Sequence, residues 1–222
     1  MTTAPSTEVN RKKNRQRFEA ETLDQILAEA LVAHVGIVRD GHPVVLPFLC
    51  GVGDLGDGLG RRLLLHGSTG GGLFLAAGDD GIPVCATITH IDSLVLATNG
   101  LHSSADYRSA VIYGNATVVP QELKWQALRQ VIDHLVPGRN DEITDMTAKD
   151  LAQTQVLQVP LDHWSVKVRD QGITDSADDG DDHSVWSGRI PLALRAGEVF
   201  TSPATIAPVP ESVLDFVALR NR

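Results

Sequence analysis

Cysteine and long apolar runs are scarce in this chain of 222 residues. Its two cysteines, Cys50 and Cys85, lie inside apolar runs and form no paired motif. This usage excludes a disulfide framework and a cysteine-ligated zinc site, and it indicates small buried side chains in a reducing compartment. No run reaches the length of a membrane span, and the first seven residues lack the apolar core of a signal peptide. We therefore expect a cytoplasmic protein with no membrane partner.

Basic residues are also fewer than acidic ones. The chain has 19 Lys and Arg against 28 Asp and Glu, which gives a net charge of -9. A general nucleic-acid binder needs a surplus of cations to neutralise phosphates, so we expect no nucleic-acid partner. The one basic run, residues 11–17, is interpreted as part of a solvated arm. We predict a disordered or loosely attached arm over residues 1–20, a main domain over 21–196 and an extension with a short helix over 197–222.

Several catalytic signatures are missing. The eight histidines are scattered, with no His-x-His or His-Glu-x-x-His pair, so we expect no dedicated metal site. The chain has no Gly-x-Ser-x-Gly elbow and no Walker-type Gly-Lys-Ser/Thr, and neither cysteine has a histidine nearby in the sequence. Hydrolytic covalent catalysis therefore has no support, and no catalytic residue is assigned. A haem ligand among His66, His90 and His102 stays an open alternative.

Short apolar runs separated by tight turns favour a small closed antiparallel barrel. The strongest turn signal is Asp40-Gly41 between two apolar runs, which predicts a hairpin. A second hairpin is predicted at residues 90–93, an exposed flexible loop over 51–60, and one long final strand over 156–169 with a kink near Pro160. Helices are predicted from a capping box at Thr22, after Pro120, over residues 147–153 and over 213–219.

Residues 66–72, His-Gly-Ser-Thr-Gly-Gly-Gly, stand between a buried apolar run and a second apolar run. The pattern predicts a strand that ends in a glycine-rich turn and restarts as a helix. Free backbone N–H groups at such a helix start bind anions, and the hydroxyls of Ser68 and Thr69 would add donors. The turn is therefore a candidate phosphate site. A purely structural turn is the alternative.

Three further cations lie where they could meet an anion. Arg108 is placed at the entrance of a predicted strand, where its forked guanidinium could either bind an anion or pair with Asp106 at the barrel rim. Lys167 and Arg169 alternate with valines, so both lie on one face of the last strand. That face is either solvated or directed at a ligand.

Read in order, several segments resemble one family. They are residues 65–70, 83–97 and 102–114, followed by 135–139, 165–169 and 185–188. Together they resemble the pyridoxamine 5'-phosphate oxidase-like flavin-nucleotide-binding family, whose members include relatives of nitroimidazole-resistance proteins. The likeness runs from about Thr22 to about Leu194.

The resemblance implies a mainly β fold: an FMN-binding split barrel of six antiparallel strands in Greek-key order, with helices. It also implies a homodimer that binds FMN at the subunit interface and acts as a flavin-dependent oxidoreductase on an unspecified small molecule. Haem or a deazaflavin are the alternative cofactors. A non-catalytic flavin- or haem-binding module and an enzyme acting on pyridoxamine phosphate are the alternative functions. The cofactor-binding residues carried over are His66, Gly67, Ser68, Thr69, Gly70, Thr87, Thr89, Tyr107, Arg108, Ser109, Lys167, Arg169 and Trp186.

Two positions depart from the family pattern. Asp106 stands where relatives often have asparagine, and it adds a negative charge beside the expected anion. Gly70, Gly71 and Gly72 stand where many relatives carry a basic residue at the helix start. The phosphate is therefore expected to rest on backbone amides.

Overall fold

The computed structural model describes residues 5–78, 80–172 and 184–221. Within these ranges the chain forms nine β-strands and five α-helices. The strands are β1 (Gln16–Arg17), β2 (Val32–Arg39), β3 (His42–Asp54), β4 (Arg61–Ser68), β5 (Ile82–Leu96), β6 (Ser104–Val118), β7 (Thr154–Pro160), β8 (Trp164–Arg169) and β9 (Gly188–Pro191). The helices are α1 (Ala20–Ala28), α2 (Gly72–Ala77), α3 (Lys124–Leu135), α4 (Ala148–Gln153) and α5 (Glu211–Arg220).

Six strands close a ring in the order β2-β3-β4-β7-β6-β5, with β5 returning to β2. Every pairing is antiparallel, and β4 lies beside β7 rather than β5. The predicted six-stranded barrel is therefore confirmed. β6 pairs with β8 along its first half and with β7 at its end, so the sheet splits along this strand. β1 extends the sheet beyond β8, and β9 extends it beyond β5.

The predicted hairpin at Asp40-Gly41 is confirmed. It joins β2 to β3, and both residues have positive φ angles, 52° and 75°. A two-residue turn with positive φ at both positions matches the twist of the flanking strands, and Asp-Gly is well suited to it.

The second predicted hairpin is wrong, because β5 runs unbroken from Ile82 to Leu96. The polar residues predicted as a turn form a bulge between Ile91 and Ser93. Because a bulge adds one residue, the side chains on both sides of it can still alternate between the buried and the exposed face of the strand. Ser93 and Val95, which follow the bulge, are buried. Arg108 consequently lies inside β6, as its fifth residue, and not at a strand entrance.

Other predicted boundaries also differ from the structure. The final strand is two strands, since β7 joins β4 while β8 joins the first half of β6. Thr22 lies inside α1, which begins at Ala20, and the observed capping box belongs to Thr147 and Asp150 in α4. β3 continues to Asp54, so only the rest of the predicted loop over 51–60 lies outside it.

The ends of the chain are joined to the barrel. Gln16 and Arg17 pair with Lys167 and Val166 of β8, which differs from a loosely attached arm. The predicted C-terminal helix is confirmed as α5, and Ser212 donates a backbone hydrogen bond of 3.0 Å to Glu142. The acidic run over residues 175–182, interpreted as a solvated loop, lies outside the described residues.

Two apolar clusters hold the fold together. The barrel interior contains alternate residues of the ring strands, and Leu23, Ile26 and Leu27 of α1 join this cluster. A second cluster lies between α3 and the outer side of β4 and β7. Within the described ranges, no helix combines the length and the apolar character needed to cross a bilayer.

The substitution Gly67→Ala should lower the free energy of unfolding by about 2 kcal/mol, a typical cost of overpacking. A Cβ on Gly67 would lie 2.4 Å from Cε2 of Phe74, whose ring packs edge-on against Phe48. Gly70→Ala is the matched control in the same turn, because a Cβ there meets nothing closer than 3.9 Å. Urea unfolding of both variants tests this, and equal stabilities would contradict it.

Candidate functional site

Several of the predicted site residues share the outward face of β5, β6 and β8. Thr89, Ser109 and Lys167 are direct cross-strand partners on these three neighbouring strands. We call them the polar row. Tyr107 lies two residues from Ser109 along β6 and therefore points to the same side. The structure thus brings together residues from three distant parts of the sequence.

The same face continues across β2 and β3. Thr87 is opposite His34, which is opposite Pro47, and Cys85 is opposite Gly36, which is opposite Val45. Because successive side chains alternate between the two faces of a strand, these residues also point away from the barrel interior. Apolar side chains on it are exposed, Val45 at 62% and Leu49 at 48%. We call this surface, from β3 to β8, the outer face.

Arg108 has the opposite orientation to the polar row and meets two carboxylates. Its Nη1 and Nη2 donate to the two oxygens of Glu29 at 2.7 and 2.9 Å, and Nη2 also donates to Asp92 at 2.8 Å. Hydrogen bonding to Arg108 lowers the pKa of Glu29, and the two acids raise the pKa of Arg108. The guanidinium therefore already has two anionic partners within the chain.

Asp106 is the partner of Arg169. The alternative interpretation, in which Arg108 pairs with Asp106 at the barrel rim, is therefore wrong. Both side chains are buried, and their ion pair is supported by Ser93 Oγ, which donates to Asp106 at 2.9 Å. Arg189 lies 3.5 Å from the same carboxylate. The negative charge that departs from the family pattern is thus neutralised inside the protein.

The glycine turn, residues 66–72, connects β4 to α2 as predicted. Ser68, Thr69 and Gly70 are exposed, while the Thr69 N–H is bonded to Gln153 O. No side chain caps the start of α2 at Gly71. His66 instead lies on β4 opposite Val156, half-buried, and burial lowers the pKa of its imidazole.

A cation does stand at the start of α2, although the sequence of the turn has none. Nη1 of Arg39 lies 2.9 Å from the position that a Cβ of Gly72 would occupy. The glycine therefore admits an arginine from the end of β2. Arg39 is exposed and lies 33 residues earlier in the sequence, so no local motif pointed to it.

The glycine turn and the polar row lie far apart in one chain. α2 leads directly into the start of β5 at Ile82, and Thr89 is seven residues further along that strand. At about 3.3 Å per residue, this is roughly 23 Å. Trp186 is also distant from the turn: it is 66% exposed and covers Gly188 of β9, which pairs with the far end of β5. A single chain does not assemble all the predicted residues into one pocket.

An apolar cleft of about 770 Å³ opens beside the polar row, between α1, β5 and the C-terminal segment. Aliphatic side chains provide much of its lining. The polar lining residues include Glu29, His34, His90, Asp92, Arg108 and Arg220. The His90 ring bonds Ile26 O through Nε2 at 2.9 Å. His34, which the sequence analysis did not single out, is exposed on the outer face. The residues described contain no cluster of three or more His, Cys, Asp or Glu arranged to hold a metal ion.

Comparison with known proteins gives a consistent result. Residues 19–168 match the profile of the family described as Pyridoxamine 5'-phosphate oxidase. No curated protein matches the chain.

Three solved structures share the fold. The FAD and heme binding protein from Mycobacterium smegmatis is 35% identical, with a TM-score of 0.82 that covers 91% of this chain and 97% of that one. The flavocytochrome Anf3 from Azotobacter vinelandii is 30% identical, with a TM-score of 0.83 and coverage of 96% and 98%. A candidate 5-nitroimidazole antibiotic resistance protein from Bacteroides thetaiotaomicron is 22% identical, with a TM-score of 0.55 and coverage of 69% and 86%.

Arg108→Gln should destabilise the protein at neutral pH by about 1 kcal/mol, a value that allows for solvent screening of these partly exposed groups. The pKa of Glu29 is lowered in the folded state from its ordinary value of 4.5. The stabilisation by Glu29 is therefore present above that value and is lost as pH falls through the lowered pKa. The difference between wild type and variant should shrink in acid.

Urea unfolding at pH 7 and in acid measures this. Arg61→Gln is the control, because its ion pair with Asp24 is about half exposed and should contribute little. A pH-independent difference for Arg108→Gln would contradict the role of Glu29.

Proposed function

Because the chain belongs to the pyridoxamine 5'-phosphate oxidase family, we propose that it binds a flavin nucleotide between two copies of itself and works as an oxidoreductase. The observation that carries this proposal is the polar row beside Tyr107 on an apolar outer face. The bound flavin would supply the redox chemistry, and the chain would hold and orient it. The two cysteines are free thiols, which suits the reducing cytoplasm.

The outer face fits the needs of a flavin ring. The hydroxyls of Thr87, Thr89 and Ser109 can donate to and accept from the polar edge of the ring, while neighbouring aliphatic side chains contact its apolar part. Lys167 adds a positive charge. This charge would stabilise the electron-rich, reduced form of a bound ring, and it would also attract an adjacent phosphate. No side chain on this face is assigned as a general acid or base.

The separation of the two predicted half-sites supports a dimer. The glycine turn with Arg39 and the polar row lie toward opposite ends of the barrel. In a two-fold dimer joined by the outer face, one copy's turn can approach the other copy's polar row, because the strands of the two copies run in opposite directions. Burial of Val45 and Leu49 would provide apolar area for this contact.

The phosphate of the flavin is assigned to the glycine turn. Exposed Ser68 and Thr69 offer hydroxyl donors, α2 offers uncapped N–H groups, and Arg39 offers the guanidinium that the turn itself lacks. FMN carries one phosphate and FAD a pyrophosphate. The relative from Mycobacterium smegmatis is a FAD and heme binding protein, so FMN, FAD and a deazaflavin are the three flavins to titrate.

The substitution Val45→Glu should convert a dimer into a monomer and weaken flavin binding at least tenfold, because charges placed at the apolar core of an interface are desolvated. Light scattering gives the mass, and quenching of flavin fluorescence gives the affinity. The wild type is expected to form a dimer and to bind one flavin per chain.

Leu59→Glu is the matched control, since Leu59 is 73% exposed in the loop between β3 and β4, outside the outer face. It should leave mass and affinity unchanged. A wild-type protein that takes up none of the three flavins would overturn the proposed cofactor. A monomer that binds flavin with full affinity would overturn the shared site.

Haem in the apolar cleft is the second candidate. The aliphatic lining suits a macrocycle, Arg220 lies where a propionate could be bound, and His34 offers an imidazole to which no described residue is hydrogen-bonded. His90 is less suited, because its Nε2 is bonded to Ile26 O. One solved relative is a FAD and heme binding protein, and another is a flavocytochrome.

His34→Ala should abolish or strongly shift the Soret band of protein reconstituted with haem, because it removes the ligand imidazole. His42→Ala is the control, since His42 is an exposed histidine on β3 of the same hairpin but lies outside the cleft. Optical titration of the three proteins is the measurement. An unchanged spectrum for His34→Ala would assign the ligand to another residue.

A further inference from the structure

A second cavity lies where the N-terminal segment crosses the end of β8. Its volume is about 620 Å³, and we call it the N-terminal cavity. Basic residues from opposite ends of the chain line it: Arg11, Lys12 and Arg15 from the N-terminal segment, and Lys167 and Arg169 from β8. The remaining lining consists of residues 101–104.

No acidic side chain is among the described residues that line this cavity. This composition is unusual in a chain with a net charge of -9. Cations that share a cavity repel one another, and bringing them together costs free energy unless an anion offsets the repulsion. Their convergence from two ends of the sequence therefore indicates a negatively charged occupant.

Arg169 forms a fixed part of the cavity wall. Its side chain is only 2% exposed, with Nη2 bonded to Gly172 O at 2.9 Å and Nη1 bonded to Asp106. Its Nε is buried and has no hydrogen-bond partner among the residues described. Nε of Arg15 is likewise buried and has no hydrogen-bond partner among the residues described. Both nitrogens are shielded from the cavity, so an occupant would meet the positive charge of these guanidinium groups and not their Nε atoms.

Lys167, Arg11 and Lys12 can still contact an anion in the cavity. Nζ of Lys167 reaches the backbone oxygen of Arg11 at 3.4 Å, which draws the N-terminal segment toward β8. The side chains of Arg11 and Lys12 have no hydrogen bond or ion pair with any described residue. β1 holds the segment in register, because Gln16 pairs directly with Lys167. The site is thus built on a strand and closed by a chain segment that β1 attaches.

We propose that the N-terminal cavity is an anion site for a phosphate or pyrophosphate group, with the basic N-terminal segment as one of its walls. Multiple charge-assisted donors in a partly enclosed space match the several acceptor oxygens of such a group. The proposal rests on the proposed function only for the source of the phosphate. That source is either a separate phosphorylated substrate or the flavin nucleotide itself, and in the second case the cavity replaces the glycine turn as the phosphate site of the flavin.

Inorganic pyrophosphate is the probe, titrated calorimetrically into the full-length protein at low ionic strength. Lys12→Gln and Arg11→Gln should each weaken binding about tenfold, the size expected for loss of one charge-assisted contact. Glutamine keeps an L side chain of similar length, so the left-handed backbone of Lys12, with φ of 60°, is equally accommodated.

Lys13→Gln is the matched control. It removes the same charge from the adjacent position, but Lys13 does not line the cavity, so affinity should stay within about twofold. Absence of pyrophosphate binding, or equal loss in Lys12→Gln and Lys13→Gln, would overturn the anion site.

A second titration, on protein saturated with the flavin that it binds, identifies the source. Loss of pyrophosphate binding would assign the cavity to the phosphate of the flavin, in place of the glycine turn, and retained binding would assign it to a separate phosphorylated ligand. Both results support the site. Pyrophosphate binding in a protein that takes up no flavin would also support it while removing the proposed function, so the two ideas fail separately.

Discussion

The antiparallel pairing of β5 with β6 is the constraint on which the rest of the structure depends. The two strands pair along nearly their full lengths, and alternation sends every second residue inward. Ala86, Ile88, Ala110 and Ile112 thereby fill the barrel, while their neighbours form the outer face. Sliding the pairing by one residue would exchange these sets and expose the core. The register that builds the barrel is therefore the register that aligns the polar row.

The same pairing determines which charges meet. Asp106 is buried near the start of β6, where its negative charge needs a cationic partner, and Arg169 on the adjacent β8 provides one. Removing one member of a buried ion pair typically costs about 3–5 kcal/mol, because the other charge is left without a partner. The pair fixes Arg169 at the wall of the N-terminal cavity. Arg169 therefore contributes both to the stability of this end of the barrel and to the charge of the cavity.

Features encoded within a few residues were predictable from the sequence. The Asp40-Gly41 hairpin, the turn before α2 and the helix after Pro120 each depend on local backbone preferences. The ordered segments from His66 to Trp186 also identified the barrel family, and the match to that family confirms it.

What the sequence could not supply depends on contacts between distant residues. At residues 90–93, a turn signal was overridden because pairing with β6 and β9 makes an extended bulge more favourable than a break. The partner of Arg108 depends on which face of the sheet each nearby side chain occupies. A one-residue bulge at Ile91–Ser93 changes this alternation along β5. Arg39 reaches Gly72 only because a hairpin and a helix start meet in space. Composition likewise could not show that a solvated-looking basic run joins β8.

Cations of this acidic chain stand at both candidate phosphate sites, and the separation of these sites bears on assembly. Arg39 stands at the glycine turn, near the start of β5. Lys167 belongs to the polar row, further along the same sheet, and the basic N-terminal segment lies next to it. A ligand with a planar ring and a phosphate needs both kinds of surface within its own length. In the proposed two-fold dimer, each copy contributes one end of the site, so neither copy alone completes it. An exposed apolar outer face and an incomplete site then have one explanation, the same contact between copies.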